Sequence, residues 1–245
     1  MTRSVVILGA GGSLGSALSA RFATEPDTAL VLSDVSAAAL DATVAALPAA
    51  RGPVETVTAD VGDPAQVQAV VARATEAFGR LDVLISNAGI LTPSGRIHNL
   101  GVADWEKAFR VNVLGAVNGI SAAVGVMRAQ RSGSIILTAS VAGMTAWSHS
   151  GPYCATKAAV ISIAKVAAVE YAKDGIRVNC VCPGTFLSSM HEGLPPEAID
   201  NIQAKHPLGL GAPGDLVGAY SYLASDAAAW TTGSALVVDG GYSAP

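Results

Sequence analysis

Short apolar runs recur along this chain, spaced by longer helical stretches. That alternation constrains its folding more than any other feature. Ser4–Leu8, Ala29–Ser33, Val54–Thr58, Leu81–Ser86, Gly133–Ala139, Ile176–Cys182 and Ala235–Val238 read as strands. Several are unbroken Val, Ile and Leu, as in strands buried on both faces. Helical stretches Ser13–Thr24, Ala37–Leu47, Pro64–Phe78, Val102–Arg131 (with room for a break) and Tyr153–Asp174 separate the first six. Strand–helix repetition predicts a doubly wound α/β fold, a seven-stranded parallel sheet with helices on both faces. The 245 residues show no internal repeat, low-complexity linker or composition break, so 1–245 reads as one domain. One stretch is irregular, between Pro183 and Pro213, with Pro195, Pro196 and Pro207 inside it. A late, proline-punctuated insertion at about 184–213 is expected to be a substrate lid; the alternative is a plain surface excursion.

Composition narrows the function classes. The chain is 51% hydrophobic and 14% charged, too apolar for disorder and consistent with extra burial by self-association. Its net charge is −4 and no Lys/Arg block occurs, which disfavours nucleic acid and gives no reason to expect an anionic membrane. A mean hydropathy of +0.44 calls for a test of membrane spans. The longest candidate, Ala108 to Met127, is interrupted by Arg110, Asn112 and Asn118. Arg3, the run Val5–Leu8 and the small residues Ala17 and Ala20 mimic a secretion signal. The run gives way to Gly9, Gly11 and Gly12, as a strand entering a turn would. Cys154, Cys180 and Cys182 are odd in number and lack metal-ligand spacing, so no metal is expected. Reduced, buried thiols and a cytoplasmic location fit better.

The turn after the first strand reads Leu8-Gly9-Ala10-Gly11-Gly12-Ser13-Leu14-Gly15. Glycines there allow a tight turn and a close backbone approach to a pyrophosphate, and the following helix start supplies free N–H groups. Asp34 ends the second strand, nineteen residues after Gly15. A carboxylate in that place accepts from adenosine ribose hydroxyls and repels a 2′-phosphate. No Lys or Arg lies between Arg21 and Arg51 to neutralise such a phosphate, so NAD is expected rather than NADP. The alternative role for Asp34 is a cap on the next helix.

Tyr153 and Lys157 stand four apart at the start of a helical stretch and share a face. Bringing a phenol from about 10 to about 7 takes roughly 4 kcal/mol. One cation at ~4 Å in a medium of effective dielectric ~20 supplies about that much. Ser140 follows the fifth strand, at the sheet edge where ligands bind, and is able to hold a substrate oxygen. It also reads as a turn-forming serine before Val141-Ala142-Gly143.

Further spaced motifs complete the series. They are Asp60-Val61, Ser86-Asn87-Ala88-Gly89, Asn112, Pro183-Gly184 and Asp239-Gly240-Gly241. In this order the chain resembles the single-domain short-chain dehydrogenases/reductases along essentially its whole length. The resemblance implies a Rossmann fold, a nicotinamide cofactor, and hydride transfer between a secondary alcohol and its ketone. It implies Tyr153 as acid/base. Lys157 would bind the nicotinamide ribose and lower the Tyr153 pKa. Ser140 would polarise the substrate oxygen, and Asn112 would hold a water linking Lys157 to solvent. Asp60 and Val61 would contact the adenine, while Asn87, Ala88 and Gly89, with Ile90 beside them, would line the cofactor cleft. Pro183, Gly184 and Ser188 would meet the nicotinamide end. A homotetramer is implied, with the fourth and fifth long helices at an interface. Three positions depart from the family pattern. Leu8 and Ser188 stand where Thr is usual, and Ser13 where Gly is usual. Ser13 is expected to cap the helix or touch the pyrophosphate, and Ser188 keeps a hydroxyl.

Leu91, Met144, Trp147, His149, Phe186, Met190 and His191 are the candidate substrate residues, an apolar set with a few polar handles. His149 and His191 read either as substrate contacts or as plain loop residues. His98 and His206 read as solvated, and Trp230 as packing. A 3-oxoacyl-carrier-protein reductase would favour NADPH and a basic docking patch, which Asp34 and the absence of a basic cluster argue against. The complete Ser140, Tyr153, Lys157 and Asn112 set argues against a non-catalytic NAD-binding sensor. Sugar-nucleotide epimerases are longer at the C-terminal end.

Overall fold

The computed structural model describes residues 2–49, 52–188 and 195–244. Strands β1 (Arg3–Leu8), β2 (Thr28–Asp34), β3 (Val54–Thr58), β4 (Val83–Ser86), β5 (Gly133–Thr138), β6 (Ile176–Pro183) and β7 (Ala235–Val238) form one sheet. Its order is β3-β2-β1-β4-β5-β6-β7, and every neighbouring pair is parallel. Alternate strand residues feed two cores. Val6 and Leu8 of β1 join one cluster; Val5 and Ile7 join the other. Helices α3 (Pro64–Phe78), α5 (Gly115–Gln130) and α6 (Gly151–Tyr171) cover the first face, through side chains such as Val70, Ile120 and Val160. Helices α1 (Ser13–Ala23), α2 (Ala37–Ala45) and α8 (Pro213–Ala224) cover the second, through Leu18, Leu40 and Leu216. Burial on both faces explains why the strands read as unbroken apolar runs. Cys180 and Cys182 are free thiols on the first face.

Boundaries differ from the sequence reading where side chains capture the backbone. β4 starts at Val83, not Leu81, because the Gln130 side chain bonds both the N–H and the carbonyl of Leu81. The long helix expected over Val102–Arg131 is α4 (Val102–Ala108), a π-helical segment Phe109–Leu114, and α5. π segments inside α-helices recur at functional sites, and this one carries Asn112. α8 was not foreseen, nor was α7 (Pro196–Gln203) inside the irregular stretch. α8 opens with Pro213, and Asp215 bonds the Ala212 N–H at 2.7 Å. Its buried Leu216, Tyr220, Leu223 and Ala224 follow helical spacing, a signal present in the sequence. Trp230, expected to pack, is fully exposed on the turn before β7. Two helical runs, Val102–Gln130 and Gly151–Asp174, are long and apolar enough to cross a membrane by length and composition. In this fold both lay a face against the sheet.

The chain adds β2 and β3 on one side of β1, then returns to place β4 on the other. Ligands of open parallel sheets bind outside the strand C-termini at such a reversal. The Asn87 N–H bonds Leu8 O at 3.0 Å there, and its side chain bonds Gly9 O at 2.9 Å.

Candidate active site

A cavity of about 840 Å³ opens at this reversal. One end is built by the turn after β1. Gly9 has φ +81, and a Cβ there would stand 2.6 Å from the backbone of Ala88. A Cβ on Gly15 would collide with the Gly9 carbonyl, and one on Gly11 would meet Ala39 Cβ at 2.6 Å. Gly12 faces open space and precedes α1 with no side-chain cap, so the first N–H groups of α1 are not taken by a capping side chain. Ser13 is the first residue of α1, not its cap, and lines the cavity with Leu14. Leu8, where Thr is usual, is fully buried in the core.

Asp34 accepts from the Gly11 N–H at 2.9 Å and the Ser36 N–H at 3.0 Å. Ser36, not Asp34, caps α2. Asp34 therefore braces the turn and presents negative charge to the cavity it lines. Asp60 accepts from Arg110 Nη1 and the Gly62 N–H, both at 2.8 Å, which holds its carboxyl below the usual range. Arg110 also lines the cavity. This basic group lies far from Asp34 in sequence, and Asp60 neutralises it. Val61 is nearly buried beside Asp60, and its carbonyl is held by Asn118 at 2.8 Å.

At the other end, α6 carries Tyr153 and Lys157, thirteen and seventeen residues after Ser140, which follows β5. Pro152 at the helix start suits the fixed φ of proline. Ser140 Oγ accepts from the Ala142 N–H at 3.1 Å, so it shapes the following turn and also faces the cavity. Lys157 is buried, and its Nζ donates to Thr138 O at 2.8 Å, 5.7 Å from the Tyr153 ring centre. Burial pushes the Lys157 pKa down to about 8. Burial also holds the Tyr153 phenol above its ordinary value, against the opposing hydrogen bond from Ser140. The expected lowering of Tyr153 by Lys157 is therefore absent in the free chain. Desolvation of the phenolate is the largest cause of the rise.

Asn112 lies behind the cavity wall. Its amide accepts from the Ile90 N–H at 2.8 Å and donates to Ile90 O at 3.0 Å and Thr156 Oγ1 at 3.1 Å. The side chain thus pins the segment after β4, which includes Ala88 and Gly89. A Cβ on Gly89 would press to 3.3 Å from Lys157 Nζ. Sequence reasoning missed Thr138, Thr156 and Tyr220. The Thr138 hydroxyl donates to Asn87 Oδ1 at 3.1 Å. Its single proton is then committed, so buried Tyr220 donates to Thr138 at 2.8 Å. No spacing in the sequence signals contacts that cross the sheet in this way.

Of the candidate substrate residues, Leu91, Trp147 and Phe186 line the cavity, as do Pro183, Gly184 and Ser188 of the cofactor set. Met144 and His149 do not. His149 sits at φ +65 on an exposed turn, its carbonyl bonded by the Gly95 N–H and its ring by Ser148. Met190 and His191 lie outside the described residues. The tail after β7 brings in Tyr242, whose turn is held by Asp239 bonds to Gly241 and Ser243. Trp147 stacks on Tyr153 with ring centres 6.0 Å apart and meets Tyr242 edge-on at 6.2 Å. His206, expected to be solvated, is buried. Its Nε2 accepts from the Thr185 N–H at 3.1 Å, so Nδ1 carries the proton and donates to Ile202 O at 2.9 Å. Among the described residues no three His, Cys, Asp or Glu converge as a metal site.

The family model described as enoyl-(acyl carrier protein) reductase matches residues 9–243. A cis-4-hydroxycyclohexanecarboxylate dehydrogenase from Sinomonas cyclohexanicum is 38% identical over 99% of this chain and 97% of that protein. The chain belongs to the short-chain dehydrogenase/reductase family of oxidoreductases. Levodione reductase from Leifsonia aquatica, a second relative, is 35% identical over 99% of this chain and 94% of that protein. The crystal structure of levodione reductase superposes with a TM-score of 0.93 over 99% of this chain and 98% of that chain, at 33% identity. ElxO with NADP bound gives 0.90 over 99% of each chain, at 28% identity. Both cover the whole doubly wound domain.

The glycine cradle fits a dinucleotide cofactor of this family. Its backbone approaches Ala88 more closely than any side chain would allow, and no side chain caps the start of α1. At the far end a phenol, a hydroxyl and a buried ammonium converge, the groups needed to exchange a proton with an alcohol oxygen.

Proposed function

We propose that the enzyme oxidises a small secondary alcohol, or reduces the matching ketone, with NAD(H) as hydride partner. The observation that carries this reading is the placement of Tyr153, Ser140 and Lys157 at one end of a cavity whose other end is the glycine turn. The turn Gly9–Ser13 and the start of α1 would hold the pyrophosphate, Asp60 and Val61 the adenine side, and Asn87 to Ile90 the middle of the cleft. Lys157, Pro183, Gly184 and Ser188 would meet the nicotinamide end. A bound cofactor would supply the hydride acceptor or donor and, when oxidised, a positive charge.

The residues themselves manage the proton. Neutral Tyr153, favoured by burial, donates to the carbonyl oxygen in reduction. In oxidation the phenolate takes the hydroxyl proton. Ser140 and Tyr153 meet the charge on the substrate oxygen, and Lys157 stabilises the phenolate. Asn112 acts by pinning Ile90 and the cleft wall. The stretch 184–213 serves as a lid, through Phe186, Ser188 and Ile202 on the cavity wall.

Asp34 supports NAD, because its carboxylate would face a 2′-phosphate and the cavity-lining Arg110 is already paired with Asp60. The NADP-bound ElxO relative makes this the point to test. A homotetramer is proposed as well, supported by the exposed Val166 and Val169 on α6.

NADH formation from a panel of secondary alcohols, with NAD⁺ and NADP⁺ offered separately, tests the reading. Turnover is expected with NAD⁺, and Tyr153→Phe is expected to lose at least about a hundredfold while still binding NAD⁺. Near-normal turnover by Tyr153→Phe would remove the assignment, and better turnover with NADP⁺ would overturn the role of Asp34.

A further inference from the structure

Among the described residues, the cavity lining holds one cation with no side-chain partner. Three cationic side chains line the cavity: Arg110, Lys157 and Lys205. Arg110 is paired with Asp60 at 2.8 Å. Lys157 is buried against the Thr138 carbonyl. The Lys205 ammonium has no partner among the described residues. The lining acids, Asp34 and Asp60, are braced at the glycine-turn end.

Lys205 stands on a braced turn. Its N–H bonds Ile202 O at 3.2 Å, and Ile202 lines the same cavity. The next residue, His206, is buried with both ring nitrogens engaged, one to Thr185 beyond β6 and one to Ile202. Its ring packs on Tyr242 with centres 4.8 Å apart. Tyr242 leads through Trp147 to Tyr153. The clasp therefore fixes the Lys205 backbone on the lining of the cavity that Tyr153 also lines, with Tyr242 and Trp147 along the wall between them. Small-molecule sites are mostly apolar, with a few polar groups that set orientation.

Resting on the alcohol-oxidising reading above, we infer that the substrate carries a carboxylate, which Lys205 holds while the carbinol faces Tyr153 and Ser140. Lys205 is then a specificity-determining residue. The carboxylate end is set by charge, and the apolar body lies against Trp147, Phe186 and Tyr242.

Two unreactive ligands test this without relying on turnover. Cyclohexanecarboxylate and its neutral analogue cyclohexanecarboxamide are titrated calorimetrically into the enzyme saturated with whichever of NAD⁺ or NADP⁺ it binds. The carboxylate is expected to bind about tenfold tighter than the amide. That preference is expected to vanish in Lys205→Met and to persist in Lys205→Arg. Equal affinities in the wild type, a preference that survives Lys205→Met, or no binding of either ligand would each overturn the inference. So would a comparable loss of dinucleotide affinity in Lys205→Met, which would place the ammonium on a cofactor phosphate. Neither ligand has a hydroxyl to oxidise. The result therefore stands apart from the Tyr153→Phe comparison, which tests the alcohol reading itself.

Discussion

Lys157→Met offers a quantitative test of how the site is held. Lys157 is 4% exposed, and burial lowers its pKa from 10.5 to about 8. Below pH 8 the folded and unfolded chains both carry the proton, and the folded chain bears the penalty of burying it. Above 10.5 neither carries it. Between the two, the unfolded chain binds more protons, so folding stability rises with pH across that window. The shift corresponds to about 3 kcal/mol. For a chain of this length that is roughly 6–12 °C in melting temperature. Methionine has similar bulk and no titrating group, so its curve lacks this rise. The Nζ bond to the Thr138 carbonyl is lost in the variant, which displaces the whole curve without creating the slope. Thermal unfolding of cofactor-free wild type and Lys157→Met is followed from pH 7 to 11 at one protein concentration. The wild type is expected to gain on the variant by about 3 kcal/mol between pH 8 and 10.5. Parallel curves would refute the assignment of a buried, destabilised ammonium.

Gly9→Ala is expected to destabilise by about 2–4 kcal/mol and abolish dinucleotide binding, because its Cβ would meet Ala88 at 2.6 Å in a left-handed conformation. Gly12→Ala, facing open space, is expected to stay within about 1 kcal/mol of wild type; denaturant unfolding with cofactor titration checks the pair. Asp34→Ser is expected to lower the NAD⁺/NADP⁺ ratio of kcat/KM at least about tenfold, read from initial rates with each cofactor. With Tyr153 held above its ordinary value, kcat/KM for alcohol oxidation is expected to rise from pH 6 to 10, up to about tenfold per pH unit. A flat profile would contradict that direction.

The strand pattern, the glycine turn and the Tyr153/Lys157 spacing were legible because each depends on a local period or on residues in one short segment. Alternation of apolar runs and helices fixes a parallel sheet, and parallel sheets of this kind place ligands at their C-terminal edge. What stayed hidden depends on neighbours far apart in sequence. Arg110 reaches Asp60 across fifty residues, Tyr220 reaches Thr138 across eighty-two, and His206 reaches back to Thr185 across twenty-one. Tyr242 joins Trp147 and Tyr153 from the far end of the chain.

The pKa directions show the same division. From spacing alone, Lys157 is an unscreened cation beside a phenol, and Coulomb attraction predicts a lowered Tyr153. Only the packed structure shows Lys157 buried and Tyr153 partly buried, where the desolvation of each charged form is the largest effect. The chain by itself determined which chemical groups are present and which share a helix face or a strand end. Tertiary packing decided how far each is buried, which charges are already balanced, and that Lys205 joins the cavity wall.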